Sequence, residues 1–137
     1  MSVIITDTGF APDTWDRGFT DLADLPANDT PCCIDVASDA DPAGIANRLS
    51  KIEMIRVDFP SSADGRGFSI ARRLRLMGFN GRLRARGHVI ADQYAMARRS
   101  GFDEVEIDDE LAARQPEDQW LARADWKAHN YQARLRG

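Results

Sequence analysis

Nine arginines and no lysine fall between Asp64 and Arg99, where Asp92 is the one acid besides Asp64. The densest part reads Asp64-Gly65-Arg66-Gly67-Phe68-Ser69-Ile70-Ala71-Arg72-Arg73-Leu74-Arg75, and then Gly81-Arg82-Leu83-Arg84-Ala85-Arg86-Gly87-His88. Guanidinium is a planar, permanently charged fork suited to bidentate recognition of carboxylate, sulfate or phosphate. Gly65 and Gly67 fall where an expected strand gives way to an expected helix. Exposed backbone N–H groups and the helix dipole favour an anion at such a place. Gly65, Arg66 and Gly67, with Arg84 and Arg86 from the next strand, are therefore the candidate anion-binding residues. The loop is not a Walker lysine loop, since no Gly-Lys-Ser/Thr follows, and Gly-x-Gly without its third glycine is not the dinucleotide fingerprint.

Acid–base chemistry has three candidates: Asp64, His88 and Asp92. His88 and Asp92 are four residues apart at a helix start, so Asp92 could orient the imidazole for proton transfer. The plainer readings are a turn-capping histidine and, for Asp64, an N-cap or Asx turn. Asp92-Gln93 could equally tie the helix start to a neighbouring loop. Ser69 reads as a helix-start residue, and no nucleophile stands beside an evident base. Cys32 and Cys33 are adjacent, no C-x-x-C exists and there are two histidines, so no zinc site or iron–sulfur cluster is expected. The cysteines read as small core residues on opposite faces of one strand, with a redox role for the pair as the alternative. No metal or cofactor motif is expected.

The net charge of −4 conceals an asymmetry. Residues 1–64 hold 12 acids and 4 bases, residues 65–100 hold 1 acid and 9 bases, and residues 101–137 hold 9 acids and 5 bases. The basic block in isolation would attract nucleic acid, but flanking acids that can pair with it argue against that partner. No run reaches the length of a membrane span, and the first residues lack the basic and apolar regions of a signal peptide. A cytoplasmic protein is the expectation.

The chain of 137 residues is read as one domain, with an irregular N-terminal arm over 1–31, a βα core over 32–108 and a C-terminal helical segment over 109–137. Within the arm, Val3-Ile4-Ile5 suits a short edge strand, and Trp15 and Phe19 suit anchors. The core pattern predicts strands over 33–37, 53–59, 82–87 and 103–108. It predicts helices over 41–51, 67–77 and 90–100, and a final helix over 116–130. Alternating βα units with short connections imply an α/β fold: a small, singly wound parallel βαβαβαβ sheet resembling half of a (β/α) barrel.

Each predicted strand alternates apolar with charged residues. Ile34 and Val36 oppose Asp35; Ile55, Val57 and Phe59 oppose Arg56 and Asp58; Leu83 and Ala85 oppose Arg82, Arg84 and Arg86; Val105 and Ile107 oppose Glu104, Glu106 and Asp108. Neighbouring side chains point to opposite faces, so one face is apolar and the other charged. The charged face is either a salt-bridge ladder between strands or a polar basin whose arginines hold an anion. On the second helix-forming run, over 67–77, Ile70, Ala71, Leu74 and Met77 make the apolar stripe, while Arg72, Arg73 and Arg75 fall outside it as a solvated face or a dock for an acidic partner. A sheet with an uncovered side predicts further cover, from the arm, from the Trp120/Trp126/Tyr131 region or from a second copy in a homodimer.

At these residues the chain resembles a bacterial family called domain of unknown function 934. The resemblance rests on Asp64-Gly65-Arg66-Gly67-Phe68-Ser69 with Phe59-Pro60 before it, on Gly81-Arg82-Leu83-Arg84-Ala85-Arg86-Gly87, on Asp92-Gln93, and on Arg99-Ser100-Gly101-Phe102-Asp103. It is close over about residues 53–106; Arg75 and the closing Tyr131-Gln132 also fit. What the resemblance implies is a pathway: such proteins are encoded beside enzymes of assimilatory sulfite reduction and are described as oxidoreductases or accessory proteins. Three functions follow as expectations. The first is an accessory protein that docks to the sulfite reductase or its electron donor and binds an oxyanion. The second is a small oxidoreductase or other enzyme acting on a sulfur oxyanion, and the third an anion-binding regulatory module. A self-sufficient redox enzyme would need a cofactor to carry electrons, and no flavin, haem or cluster motif is evident.

Overall fold

The computed structural model describes residues 2–15, 17–26 and 30–126. Four parallel strands follow one another in space as in sequence: β4 (Cys33–Val36), β5 (Met54–Phe59), β6 (Arg82–Gly87) and β7 (Glu104–Asp108). Helical connections link them. A 3₁₀ segment, Pro42–Lys51, joins β4 to β5, and α1 (Arg66–Leu76) joins β5 to β6. A 3₁₀ turn, Ala91–Gln93, runs into α2 (Tyr94–Ser100) before β7. This is the expected half-barrel-like α/β array.

Register turns the alternation of each strand into rows. Val36, Val57, Ala85 and Val105 align across the sheet, as do Ile34, Ile55 and Leu83. These rows meet Phe68, Ile70, Ala71 and Leu74 of α1, Tyr94 and Ala97 of α2, and Ile45 and Leu49 of the 3₁₀ segment in one buried cluster. On the opposite face, Asp35, Arg56, Arg84 and Glu104 form one row, and Asp58, Arg86 and Glu106 the next.

The arm departs from its expected irregularity. β1 (Ser2–Thr6) and β2 (Gly9–Pro12) form a hairpin, and β3 (Thr20–Asp21) adds to the far edge, giving the order β2-β1-β7-β6-β5-β4-β3. Val3-Ile4-Ile5 is thus an internal strand, antiparallel to both β2 and β7. The hairpin depends on Gly9, whose φ of 115° is open to glycine and strained for other residues. Residues 42–51 wind as 3₁₀ turns, which place residues three apart on one side; Pro42 and Ile45, and then Leu49 and Ile52, are the buried pairs.

The helix expected over 116–130 is the short α4 (Glu117–Leu121), which starts after Pro116 and ends at Leu121, and a separate short helix, α3 (Asp109–Arg114), precedes it. The Asp108 side chain caps α3 by accepting from the Leu111 N–H at 2.8 Å. Trp120 packs edge-on to Tyr94 in the helical core instead of covering the charged face. Residues 127–130 of the expected helix, and Tyr131, lie outside the described residues.

Gly87 closes β6 at a φ of 121°, and a Cβ there would lie 2.5 Å from the Phe59 carbonyl oxygen. Gly87→Ala is expected to cost about 2–4 kcal/mol, from strained backbone and displacement of β5. A urea denaturation midpoint unchanged from the parent would contradict it.

Candidate functional site

The charged face is a ladder closed over by the arm. At its centre Arg84 has no exposed side-chain surface. Its Nε donates to Glu104 at 2.6 Å, and Nη1 to Glu106 at 2.8 Å. Asp13, just past β2, accepts from Nη1 and Nη2, both at 3.2 Å. Arg56 donates two bonds to Asp35, at 2.6 and 2.8 Å, and a third to Glu106 at 3.2 Å. Arg82 takes Glu104 in a fork at 2.6 and 3.0 Å.

Aromatic residues of the arm finish the cover. The Arg56 guanidinium lies 3.8 Å from the Phe19 ring centre, and Arg82 lies 5.8 Å from that of Trp15. No buried side-chain nitrogen or oxygen among the described residues lacks a partner. Burial opposes ionisation of Asp13, but the Trp15 backbone N–H and the Arg84 guanidinium outweigh it and hold its carboxyl below the usual range.

The glycine elbow is likewise filled from within. Asp64 accepts from the Arg66 backbone N–H at 3.1 Å, making an Asx turn. It also takes the Arg66 side chain in a fork at 3.0 and 2.8 Å, while Arg66 Nη2 reaches Ser38 Oγ at 3.1 Å. The Arg66 side chain, then its backbone N–H, hold the Asp64 carboxyl well below the usual carboxylate range. At the start of α1, therefore, the chain's own carboxylate sits where the candidate anion would. Gly65 and Gly67 have no positive φ. Gly67 serves close packing instead, since a Cβ there would run into the Phe59 ring.

His88 and Asp92 are not brought together. Asp92 pairs with Arg123, while the His88 backbone N–H donates to the Phe59 carbonyl at 2.9 Å and its side chain is exposed. Gln93 does hold the helix start to a loop, donating to the Ser62 carbonyl at 2.7 Å and accepting from the Ile90 N–H at 3.1 Å. Arg75, grouped by its spacing with the solvated helix face, turns inward. It donates to the carbonyls of Gly101, Phe79 and Gly81 at 2.8–3.0 Å and to Asp103 at 3.0 Å. Only a helix end and two loops brought to one point reveal that role. Asp7, which no motif singled out, binds the Tyr94 hydroxyl and Arg98 from the hairpin turn.

A cleft opens at the carboxyl ends of β5, β6 and β7. It encloses about 250 Å³, lined by Asp58, Arg86, His88, Glu106, Asp108 and Arg114 among others. A second cavity of about 220 Å³ shares Asp58 and Arg86 and adds Asp21, Asp35 and Arg56. Arg86 is half-exposed, 3.3 Å from Glu106 and 4.0 Å from Asp58. Of the sequence candidates, Arg86 and His88 thus share one cavity; Arg84 is not part of its lining, and Asp64 and Arg66 bind each other. No group of three or more metal-ligating side chains occurs among the described residues.

The family model described as "Bacterial protein of unknown function (DUF934)" matches residues 33–137, which take in β4 through β7 and the elbow. The chain belongs to the DUF934 family. No curated protein and no solved structure matches it. The DUF934 match begins at β4, while Asp13, the third carboxylate on Arg84, comes from the segment before it. No helix among the described residues is long and apolar enough to cross a membrane.

Replacing Arg84 with methionine removes the central cation shared by Glu104, Glu106 and Asp13, leaving Glu104 with Arg82 and Glu106 with Arg56 and Arg86. Arg84→Met is expected to lose about 3–5 kcal/mol at neutral pH, the range for breaking one side of a buried pair. Arg84 is among the groups that hold the Asp13 carboxyl below its usual range in the parent, so the stability it brings is present above the unfolded carboxylate range and is lost as pH falls through the depressed folded value. The deficit therefore narrows as pH falls. Denaturation curves at pH 7 and about pH 3 test both the size and the sign.

Proposed function

We propose that this chain is an accessory protein of assimilatory sulfite reduction, docking through the outer face of α1 and α2 to an acidic surface of the sulfite reductase or its electron donor. The pathway part rests on the resemblance carried by the Asp64–Ser69 and Gly81–Gly87 motifs. The docking part rests on one observation. The two helices pack side by side, contain no acid, and expose Leu76 at 81% and Met96 at 49% among arginines. Arg72 and Arg99 are exposed and have no ion pair or hydrogen bond among the described residues. Guanidinium groups around exposed apolar side chains suit a partner whose surface is acidic with apolar gaps, because charge steers the approach and apolar contact holds it.

The test is capture from an extract of the native host by the tagged, full-length chain. Sulfite reductase or its donor should be retained, and Arg72→Glu with Arg99→Glu should lower retention roughly tenfold, the scale of reversed rim charges. Retention of neither protein by the unaltered chain would end the proposal.

A second reading has its own observation: Arg86, His88 and Arg114 line one cavity at the carboxyl ends of parallel strands. Ligands of parallel α/β folds bind at such ends. The reading is a site for a sulfite-sized oxyanion. Asp58, Glu106 and Asp108 in the same walls offset the positive charge, so directional guanidinium hydrogen bonds would have to supply the affinity. Sulfite titrated calorimetrically should give saturable heat that Arg114→Gln removes, with docking unaffected. A flat titration of the unaltered protein would dispose of this reading alone.

A further inference from the structure

The cysteine pair does not sit as a strand interior would place it. Cys33 opens β4 on the charged face, in register with Met54 and two residues before Asp35. Cys32 lies on the bend just ahead of the strand, so the side-to-side alternation of a pleated strand does not bind it. The two sulfurs are 2.9 Å apart on the same side. Both are free thiols, Cys33 buried and Cys32 half-buried. The backbone is pinned at this point, because the Cys32 carbonyl accepts from the N–H groups of Glu53 at 2.8 Å and Met54 at 3.1 Å.

The surroundings distinguish the two thiols. Burial pushes the Cys33 thiol up to about 12, and the Cys32 thiol against it adds to the rise, while the Trp15 indole and Arg17 act in the opposite sense. Arg17 lies within electrostatic reach of both cysteines and forms an exposed ion pair with Glu53 at 2.7 Å. Cys32, being the more accessible and lying near a cation, is the attacking sulfur; Cys33 is held protonated behind it. Reactive cysteines occupy electropositive, partly exposed places of this kind.

We propose that Cys32 and Cys33 form a thiol–disulfide exchange site, a vicinal dithiol that low-molecular-weight disulfides close to an eight-membered cystine ring. The Cys32 thiolate attacks one sulfur of the incoming disulfide, forming a mixed disulfide and releasing one thiolate. Cys33 then gives up its proton and attacks the Cys32 sulfur, closing the ring and releasing the second thiolate. The pair loses two electrons and two protons, and the small disulfide becomes two thiols. Neighbouring Cα atoms are about 3.8 Å apart across a trans peptide, closer than in ordinary disulfides, so the ring is strained and reopens readily with excess thiol. Closure would act on β4 beneath Trp15, where the arm meets the sheet.

The chain holds two cysteines, which makes the readout unambiguous. The full-length protein is treated with oxidised glutathione and examined by intact mass and thiol alkylation. The expected product is a monomer that has lost two hydrogen atoms, carries no glutathione and has no alkylatable thiol, and that regains both thiols with dithiothreitol. In Cys33→Ser the reaction should stop at one glutathione on Cys32, formed about tenfold faster than the adduct on Cys33 in Cys32→Ser, since access and thiolate fraction set the rate. A stable doubly glutathionylated chain, a covalent dimer, or two thiols still alkylatable in the parent protein would each overturn the proposal. Those parent measurements stand even if a variant fails to fold.

Discussion

A guanidinium with no exposure to water must be neutralised on the spot, and the architecture is organised around that requirement at Arg84. Removing such a group from water is worth several kcal/mol against folding unless charged hydrogen-bond partners replace the solvent. Glu104 and Glu106 supply two carboxylates from the neighbouring strand, and Asp13 supplies a third from the arm. The carboxylates are shared in turn: Glu104 also holds Arg82, and Glu106 also meets Arg56 and Arg86. Four arginines and the five acids Asp13, Asp35, Asp58, Glu104 and Glu106 thus form one connected array. Such an array fixes strand register, because a slip of one residue would move every charge to the apolar face.

This requirement also explains how a parallel sheet can do without helices on its second side. Parallel sheets ordinarily bury both faces under apolar cover. Here one face is covered by α1, α2 and the 3₁₀ segment, and the other by paired charge under Trp15 and Phe19. The arm is consequently part of the ladder's closure, since Asp13 completes the coordination of Arg84 and Phe19 lies against Arg56. Within the family match, the carboxylates of β7 and the arginines of β6 face each other in register, Arg84 beside Glu104 and Arg86 beside Glu106.

The parallel array was readable in the sequence because period-two alternation of Ile, Val or Leu with Arg, Asp or Glu has one geometric meaning. Helix ends were readable where glycine follows an apolar stripe, as at Gly78 and Gly101. Other features were hidden because they depend on contacts between distant segments. The hairpin of β1 and β2 is short, and its pairing with β7 joins residues about a hundred positions apart. Arg75 looked like its exposed neighbours, since spacing along a helix cannot disclose a cluster of carbonyls waiting at the far end. His88 and Asp92 had suitable spacing, but the 3₁₀ turn between them directs Asp92 to Arg123. Of the candidate site, the arginines were found and their occupancy was not: the question of which carboxylate answers which guanidinium is settled by register and by the arm.

Following each arginine of the basic block to its partner separates architecture from surface. Arg66 binds Asp64, Arg73 binds Asp41, and Arg75 binds loop carbonyls. Arg82, Arg84 and Arg86 meet the glutamates of β7, and Arg98 binds Asp7. Seven of the nine thus hold segments of the chain to one another, which is why a block so basic in sequence presents little free positive charge in the fold. Arg72 and Arg99 have no such partner among the described residues, and both stand on the helical side, away from the ladder. Exposed arginines without internal partners contribute little to folding, since a solvated guanidinium gains almost nothing by being held in place. Their placement beside Leu76 and Met96 is therefore better understood through what approaches this face than through what the fold requires of it.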